Sequence, residues 1–270
     1  MRPLILIAIL VAAVPGARAG ETAWAELAPD TRVRLISADG READGTVLAA
    51  IELDMPQGTK TYWRVPGETG IPLTLDLSGS TGIAGHTLFW PFPEIEVKEG
   101  YTDFVHYGPT IIPLALTVQG DAPVLQAGLV MGICSDICVP AMADLTLPID
   151  PAKPDPGQSL RIAQAMAEVP IPWDGDPGAI GEVAVDAPAG SLWLGLDPAV
   201  VDPSSVVLDA SAAGYLVGAP QKSRESGVVE LPLIGGGDGA DLLAKSIEIV
   251  FMTRNGPYWV SRRVGRSTSP

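Results

Sequence analysis

VLQAGLVMGICSDICVPAMADLTLPI, residues 124–149, carries the chain's two cysteines, Cys134 and Cys138, at its centre. The run before them, VLQAGLVMGI, and the run after them, VPAMADLTLPI, read as strands, the second alternating in part between apolar and small or polar residues. Joined by Ser135, Asp136 and Ile137, they predict a hairpin with a three-residue connection that sets Cys134 opposite Cys138. Facing residues of an antiparallel pair lie about 4.5 to 5.5 Å apart at Cα, within a disulfide's reach, so the two thiols can bond to each other. A loop of about five residues closed in this way gains only roughly 2 kcal/mol from lost chain entropy. A structural bridge gains more by joining distant strands. The pair is therefore expected to be reduced and re-formed, with a local structural staple as the alternative.

The N-terminus supplies an address. Arg2 is followed by the apolar run LILIAILVAAV and then by Ala17-Arg18-Ala19 ahead of Gly20, the pattern of a secretory leader with a small-x-small cleavage site. The apolar core, Leu4 to Val14, is too short to anchor in a bilayer, and no other stretch approaches the roughly 18 apolar residues that would. Residues 1–19 are thus expected to be a signal peptide, and the mature chain an exported protein without a transmembrane segment. An envelope compartment permits disulfides, in agreement with the even cysteine count.

The whole chain has 17 basic and 32 acidic residues; removing residues 1–19 takes two arginines, leaving 15 against 32 and a formal charge of −17. That balance argues against nucleic acid and anionic lipid as partners, and it predicts that a docking protein is basic where it touches; solubility is the plainer reading of the same charge. Glycine (30) and proline (26) make up about a fifth of the 270 residues. With long helical periodicity scarce, this points to short strands and many turns, an all-β chain of the sandwich class.

Along the chain, strands are expected near VRLIS and GTVLAAIEL, and again in TYWRVPGETGIPLTLDL, where Pro66 and Gly67 end one strand and Gly70-Ile71-Pro72 turns into another. Tyr62 and Trp63 are expected to pack in the core and Arg64 to pair with a neighbouring carboxylate. His86 to Tyr107 is rich in aromatics, and Pro91 and Pro93 forbid an ordinary central strand, so it reads as a loop with an edge strand. Its rings either form a lid over a reactive disulfide or fill the sandwich. DPAKPDPGQ reads as a linker, and Ser159 as the cap of a short helix, LRIAQAMAEV. From about Pro172 the strand pattern resumes in EVAVDA, SLWLGL, SVVLDA, GVVELPLI, KSIEIVFMT and PYWVSRRV, with GGGDGAD as a flexible connection. The expected organisation is a signal peptide at 1–19, a first domain at 20–150, a proline-rich linker and short helix at 151–171, and a second sandwich-like domain at 172–270. The second domain contains no cysteine or histidine, so redox chemistry is expected in the first.

PQGTKTYWRVPGETGIP, then FWPFPE, then GICSDICVPAMADL follow one another in an order and spacing that resemble the N-terminal periplasmic domain of DsbD-type thiol:disulfide interchange proteins, especially the DsbD-like and ScsB-like subgroup. The likeness is strong over residues 24–150 and loose over 172–265. It implies an immunoglobulin-like β-sandwich, two in tandem, and a redox-active Cys134–Cys138 pair that relays electrons from an inner-membrane thiol donor to exported thioredoxin-like or disulfide-bonded clients. Cys138 would form the mixed disulfide, and Phe89, Trp90 and Phe92 would stand in for the family's cap over the sulfurs. No membrane transporter, CxxC motif or thioredoxin domain follows in this sequence, so the electron donor is expected on a separate chain. No cofactor is implied. With Asp136 between the cysteines in an acidic molecule, the free dithiol is expected to be a sluggish nucleophile until a basic partner docks.

Two rival readings remain at this level. Cys134 and Cys138 with His86, His106 or Met131 would suit a soft ion such as Cu(I), although neither histidine stands at a ligand spacing from the cysteines. A non-catalytic binding module with a structural disulfide is the other. A hydrolase is disfavoured, since the chain has no GxSxG or HExxH motif and only two histidines.

Overall fold

The computed structural model describes residues 20–266 apart from Arg224 and Gly236; the expected signal peptide and its cleavage site lie outside the described residues. The first half contains β1 (Ala25–Ala28), β2 (Thr31–Ser37), β3 (Thr46–Asp54), β4 (Lys60–Gly67), β5 (Thr74–Asp76) and β6 (Ile83–Leu88). It continues with β7 (Glu94–Lys98), β8 (Tyr101–Tyr107), β9 (Thr110–Val118), β10 (Val124–Cys134) and β11 (Cys138–Pro148). These form one sheet in the order β1-β2-β3-β9-β6 and a second in the order β11-β10-β4-β8-β7, with β5 added along β10. The two sheets close on each other as an immunoglobulin-like sandwich, because β2, β3, β9, β10 and β11 each turn alternate apolar residues inward. On β10 the inward set is Leu125, Ala127, Leu129, Met131 and Ile133, all buried in one cluster with Val33, Leu35, Ile51, Leu114 and Leu116.

The hairpin of β10 and β11 pairs without interruption from Val124↔Pro148 to Cys134↔Cys138, and Ser135 to Ile137 make the three-residue connection expected of it. The register sets every side chain's face. With Ile133 and Met131 inward, Cys134, Gly132 and Val130 are turned outward, together with their partners Cys138, Pro140 and Met142. Pro140 and Pro148 are tolerated because β11 is an edge strand.

The aromatic segment contributes three strands around a proline-bearing connection at residues 89–93, and β7 is the edge strand expected there. The helix, α1 (Pro156–Met166), begins earlier than Ser159. Asp155 is the cap, accepting from Gly157 N and Gln158 N, and Pro156 occupies the first helical position, where its missing N–H costs nothing. Ser159 instead donates its hydroxyl to Asp155 O within the first turn. The helix lies on the outside of the first sheet, with Ile162 buried against Ile36, Ala38 and Ala50, and Arg161 paired with Glu52.

Beyond the helix the strands follow the sequence pattern, including Ile180–Asp186, Ser191–Leu196, Val228–Ile234, Ser246–Thr253 and Gly256–Arg266. They enclose a separate apolar cluster around Leu192, Leu194, Leu231, Ile249 and Phe251. The two halves touch through Trp63, Val65 and Phe104 of the first and Val207 and Val250 of the second. Arg64 spans the junction. Its Nε lies 2.9 Å from Asp209 Oδ2 and it also pairs with Glu248, so its carboxylate partners come from the far half of the chain. No helix among the described residues is long and apolar enough to cross a membrane.

Candidate functional site: a disulfide beside a buried ionic network

Cys134 and Cys138 are joined as a disulfide with their Cα atoms 4.0 Å apart. The two sulfurs are unequal in access, since Cys134 is 1% exposed whereas Cys138 lies in the exposed turn.

What buries Cys134 is strand β4. Lys60 is its register partner, and Tyr62, two residues on and on the same face, brings its hydroxyl to 2.8 Å from Cys134 Sγ and 3.5 Å from Cys138 Sγ. A disulfide sulfur has no proton to give, so the phenol donates. Burial raises the Tyr62 pKa above its ordinary value, which keeps the hydroxyl a donor at neutral pH. The ring lies between two glycines. A Cβ on Gly132 would stand 2.9 Å from Tyr62 Cε2, and one on Gly70 would stand 2.2 Å from Tyr62 Cδ1. Any side chain at either place would push the ring off the sulfurs, which gives a physical reason for both glycines in the TYWR…G and GICSDIC stretches.

Lys60 itself is held in a network. Its Nζ pairs with Glu96 and lies 3.4 Å from Asp103 Oδ2, and the three side chains are at most 9% exposed. Tyr107 donates to Glu96 at 2.5 Å, and Thr69 donates from its hydroxyl to Asp103 at 2.5 Å and from its N–H at 3.0 Å. Burial pushes the Glu96 carboxyl up, but hydrogen bonds from Lys60, Tyr107 and Lys98 outweigh it and bring the pKa down to about 2. Burial together with the Glu96 hydrogen bond pushes Tyr107 up to about 12. For Lys60, burial pulls the pKa down and Glu96, Tyr62 and Asp103 more than reverse it, leaving it raised. The ammonium also sits 5.4 Å from the Tyr62 ring centroid and 5.6 Å from that of Tyr101. A cation thus stands near the sulfurs after all, but with two carboxylates bound to it the group carries a net charge of −1. It does not offer a thiolate the free positive charge that lowers a cysteine pKa.

The residues expected as a cap are placed elsewhere. Trp90 and Phe92 pack with Trp63, Val65 and Phe104, whose side chains lie on the opposite face of β4 and β8 from Tyr62 and Val105. Phe89 is half-buried, and its N–H bonds to Pro113 O of the other sheet. The alternation of β4 accounts for this: Trp63 and its aromatic neighbours fill the junction with the second half, and Tyr62 is the ring at the disulfide. Core packing, expected of both Tyr62 and Trp63, holds for both: Tyr62 is buried with Val105 and Cys134, and Trp63 in the cluster at the junction.

The soft-metal reading loses its geometry as well. Met131 points into the sandwich, His106 is buried on the Trp63 face, and His86 is exposed on β6 of the other sheet. No group of three or more His, Cys, Asp or Glu side chains that could hold a metal ion occurs among the described residues.

The site is thus one closely spaced cysteine pair at the hairpin tip of an immunoglobulin-like sandwich, half covered by its own sheet. Residues 26–149 match the family described as thiol:disulfide interchange protein DsbD, N-terminal. The crystal structure of the N-terminal periplasmic domain of ScsB from Proteus mirabilis has the same fold with a TM-score of 0.72; the match covers 93% of this chain and 100% of that one at 23% identity. No curated protein matches the sequence significantly. The family's description names thiol:disulfide interchange, and the matched ScsB domain is described as periplasmic.

Proposed function

We propose that this chain is an exported electron relay. It would take an electron pair from a membrane-embedded thiol donor and pass it to exported thioredoxin-like or disulfide-bonded proteins, through Cys134 and Cys138. The observation that supports the reading best is the asymmetry of the disulfide, with Cys138 open to attack and Cys134 buried under the Tyr62 hydroxyl.

In the reducing step, a donor thiolate attacks Cys138 Sγ in line with the S–S bond. A mixed disulfide forms at Cys138, the Cys134–Cys138 bond breaks, and the electron pair leaves on Cys134 Sγ. The Tyr62 hydrogen bond, strengthened as charge gathers on that sulfur, stabilises the departing thiolate. A second donor thiol then attacks the donor-side sulfur of the mixed disulfide, leaving as the donor's disulfide. Cys138 is freed, and two protons complete the dithiol. Toward a client the order reverses: the Cys138 thiolate opens the client disulfide and Cys134 resolves the mixed species.

The test is the reduction potential of the pair in the mature chain, equilibrated in glutathione and dithiothreitol buffers. A value between about −180 and −270 mV, the span of exchange proteins, is expected; one well below about −300 mV marks a structural bridge and overturns the relay. In the same experiment Cys134→Ala accumulates a mixed disulfide at Cys138, whereas Cys138→Ala forms one at the buried Cys134 far more slowly.

A further inference from the structure

The outward face of the cysteine hairpin is laid out in rows. Farthest from the sulfurs, Asp76, Gly128 and Asp144 lie side by side; the next row is Thr74, Val130 and Met142. Then come Gly132 and Pro140, with Ile71 beside Gly132, and finally the disulfide with Ile137 and Asp136 at the tip. The apolar members are open to solvent: Ile137 is 75% exposed, Met142 72%, Ile71 40% and Val130 37%. Four large apolar side chains gathered on one face around a reactive bond are not needed to hold the sheet, whose core lies on its other side.

The charge around this patch has one sign. From Val65 to Ala152 the sequence contains ten acidic residues and one basic residue, Lys98, although 17 basic residues occur in the whole chain. Lys98 is itself paired with Glu96, 3.2 Å away. Lys60, the other cation near the sulfurs, is buried and bound to Glu96 and Asp103. Asp136 and Asp144 have no ion-pair partner among the described residues, and Asp76 is engaged only by Ser78 in its own turn.

We infer that this face is the docking surface for a protein partner that presents its reactive cysteine on an apolar segment flanked by lysine or arginine. The inference rests on the exchange function proposed above and specifies the partner's chemistry. Apolar contact at Ile71, Val130, Ile137 and Met142 would exclude water around Cys138, while Asp76, Asp136 and Asp144 form an acidic rim that attracts the partner's cations and repels acidic proteins. A cation brought in this way also offsets the net negative charge beside Cys134 at the moment the thiolate leaves.

The test uses the full mature chain and two synthetic dithiol peptides, identical in an apolar centre and differing only in lysine or glutamate flanks. Their rates of reducing the Cys134–Cys138 bond are each divided by the rate on neutral hydroxyethyl disulfide, which removes differences in thiol pKa. The lysine peptide is expected to be favoured about tenfold at low salt, the advantage shrinking toward unity at high salt. Asp136→Asn with Asp144→Asn should remove most of that preference. Met142→Ser with Ile137→Ser, both at exposed positions, should slow both peptides severalfold while leaving the rate with dithiothreitol unchanged. Equal normalised rates, or a preference that survives the two asparagine substitutions, overturns the docking surface while the relay stands. Failure of dithiothreitol to reduce the bond in the exchange range overturns both.

Discussion

The two faces of strand β4 are built on different chemistry. Inward, Trp63 and Val65 meet Phe104, Val207 and Val250 in a dry apolar cluster that joins the halves of the chain. Outward, Lys60 and Tyr62 meet Glu96, Asp103, Tyr107 and the disulfide in a network of buried charge. Because strand side chains alternate, residues adjacent in sequence serve separate ends: one face joins the halves of the chain and the other lines the disulfide. An apolar cluster could not stabilise a departing thiolate, and a charged network is poor cement, since its desolvation offsets much of its attraction.

The largest expected effect lies on the inward face. Trp63→Ala empties a fully buried site and should cost about 3–5 kcal/mol in urea or thermal unfolding. The dithiothreitol rate of the folded protein should stay within about twofold of the parent. A tenfold change in that rate would show that the faces are not independent.

Acid should separate the faces next. Burial lowers the His106 pKa from 6.5 to about 4, so the unfolded chain binds this proton before the folded one does. Stability from neutral His106 is complete above pH 6.5 and lost as pH falls toward 4, about 3 kcal/mol in all for a shift of this size. The Glu96 pKa falls from 4.5 to about 2, so its contribution is complete above 4.5 and lost as pH drops toward 2. Denaturant midpoints measured from pH 7 to 3 should thus fall in two stages, and His106→Gln should flatten the first alone. A single stage unaltered by that substitution breaks the assignment.

The smallest effect is the sharpest on mechanism. Tyr62→Phe removes the hydroxyl donor at Cys134 but keeps the ring between Gly70 and Gly132. Reduction by dithiothreitol should slow about tenfold, equal to roughly 1.4 kcal/mol of barrier, with a stability change of about 1 kcal/mol or less. An unchanged rate would leave Tyr62 as packing only.

Much of the fold was legible in the sequence because its signals are local. The cysteine hairpin follows from two apolar runs and a three-residue connection, and the second-half strands appear where their alternation places them. The helix was recognised but its start was missed, because Ser159 looked like a cap while Asp155-Pro156 made the better one. The site was half legible. Cys134 and Cys138 stand out as the two cysteines, and Lys60-Thr61-Tyr62 has the i, i+2 spacing that puts a cation and a phenol on one strand face. Which face that would be is not readable locally, nor is the choice between a lid and a packed interior for Trp90 and Phe92; Tyr62 is buried as expected, but beside Cys134.

By itself, then, the sequence determined an all-β chain, the hairpin, the pairing of the two cysteines and the acidity of the region around them. Those depend on periodicity, turn chemistry and charge, which act between near neighbours. Only the tertiary structure decided that Lys60 meets Glu96 and Asp103, that Arg64 closes on Asp209 and Glu248, and that Tyr62 reaches the disulfide. These contacts join residues 36 to 184 positions apart, and it is sheet order and register that bring them together.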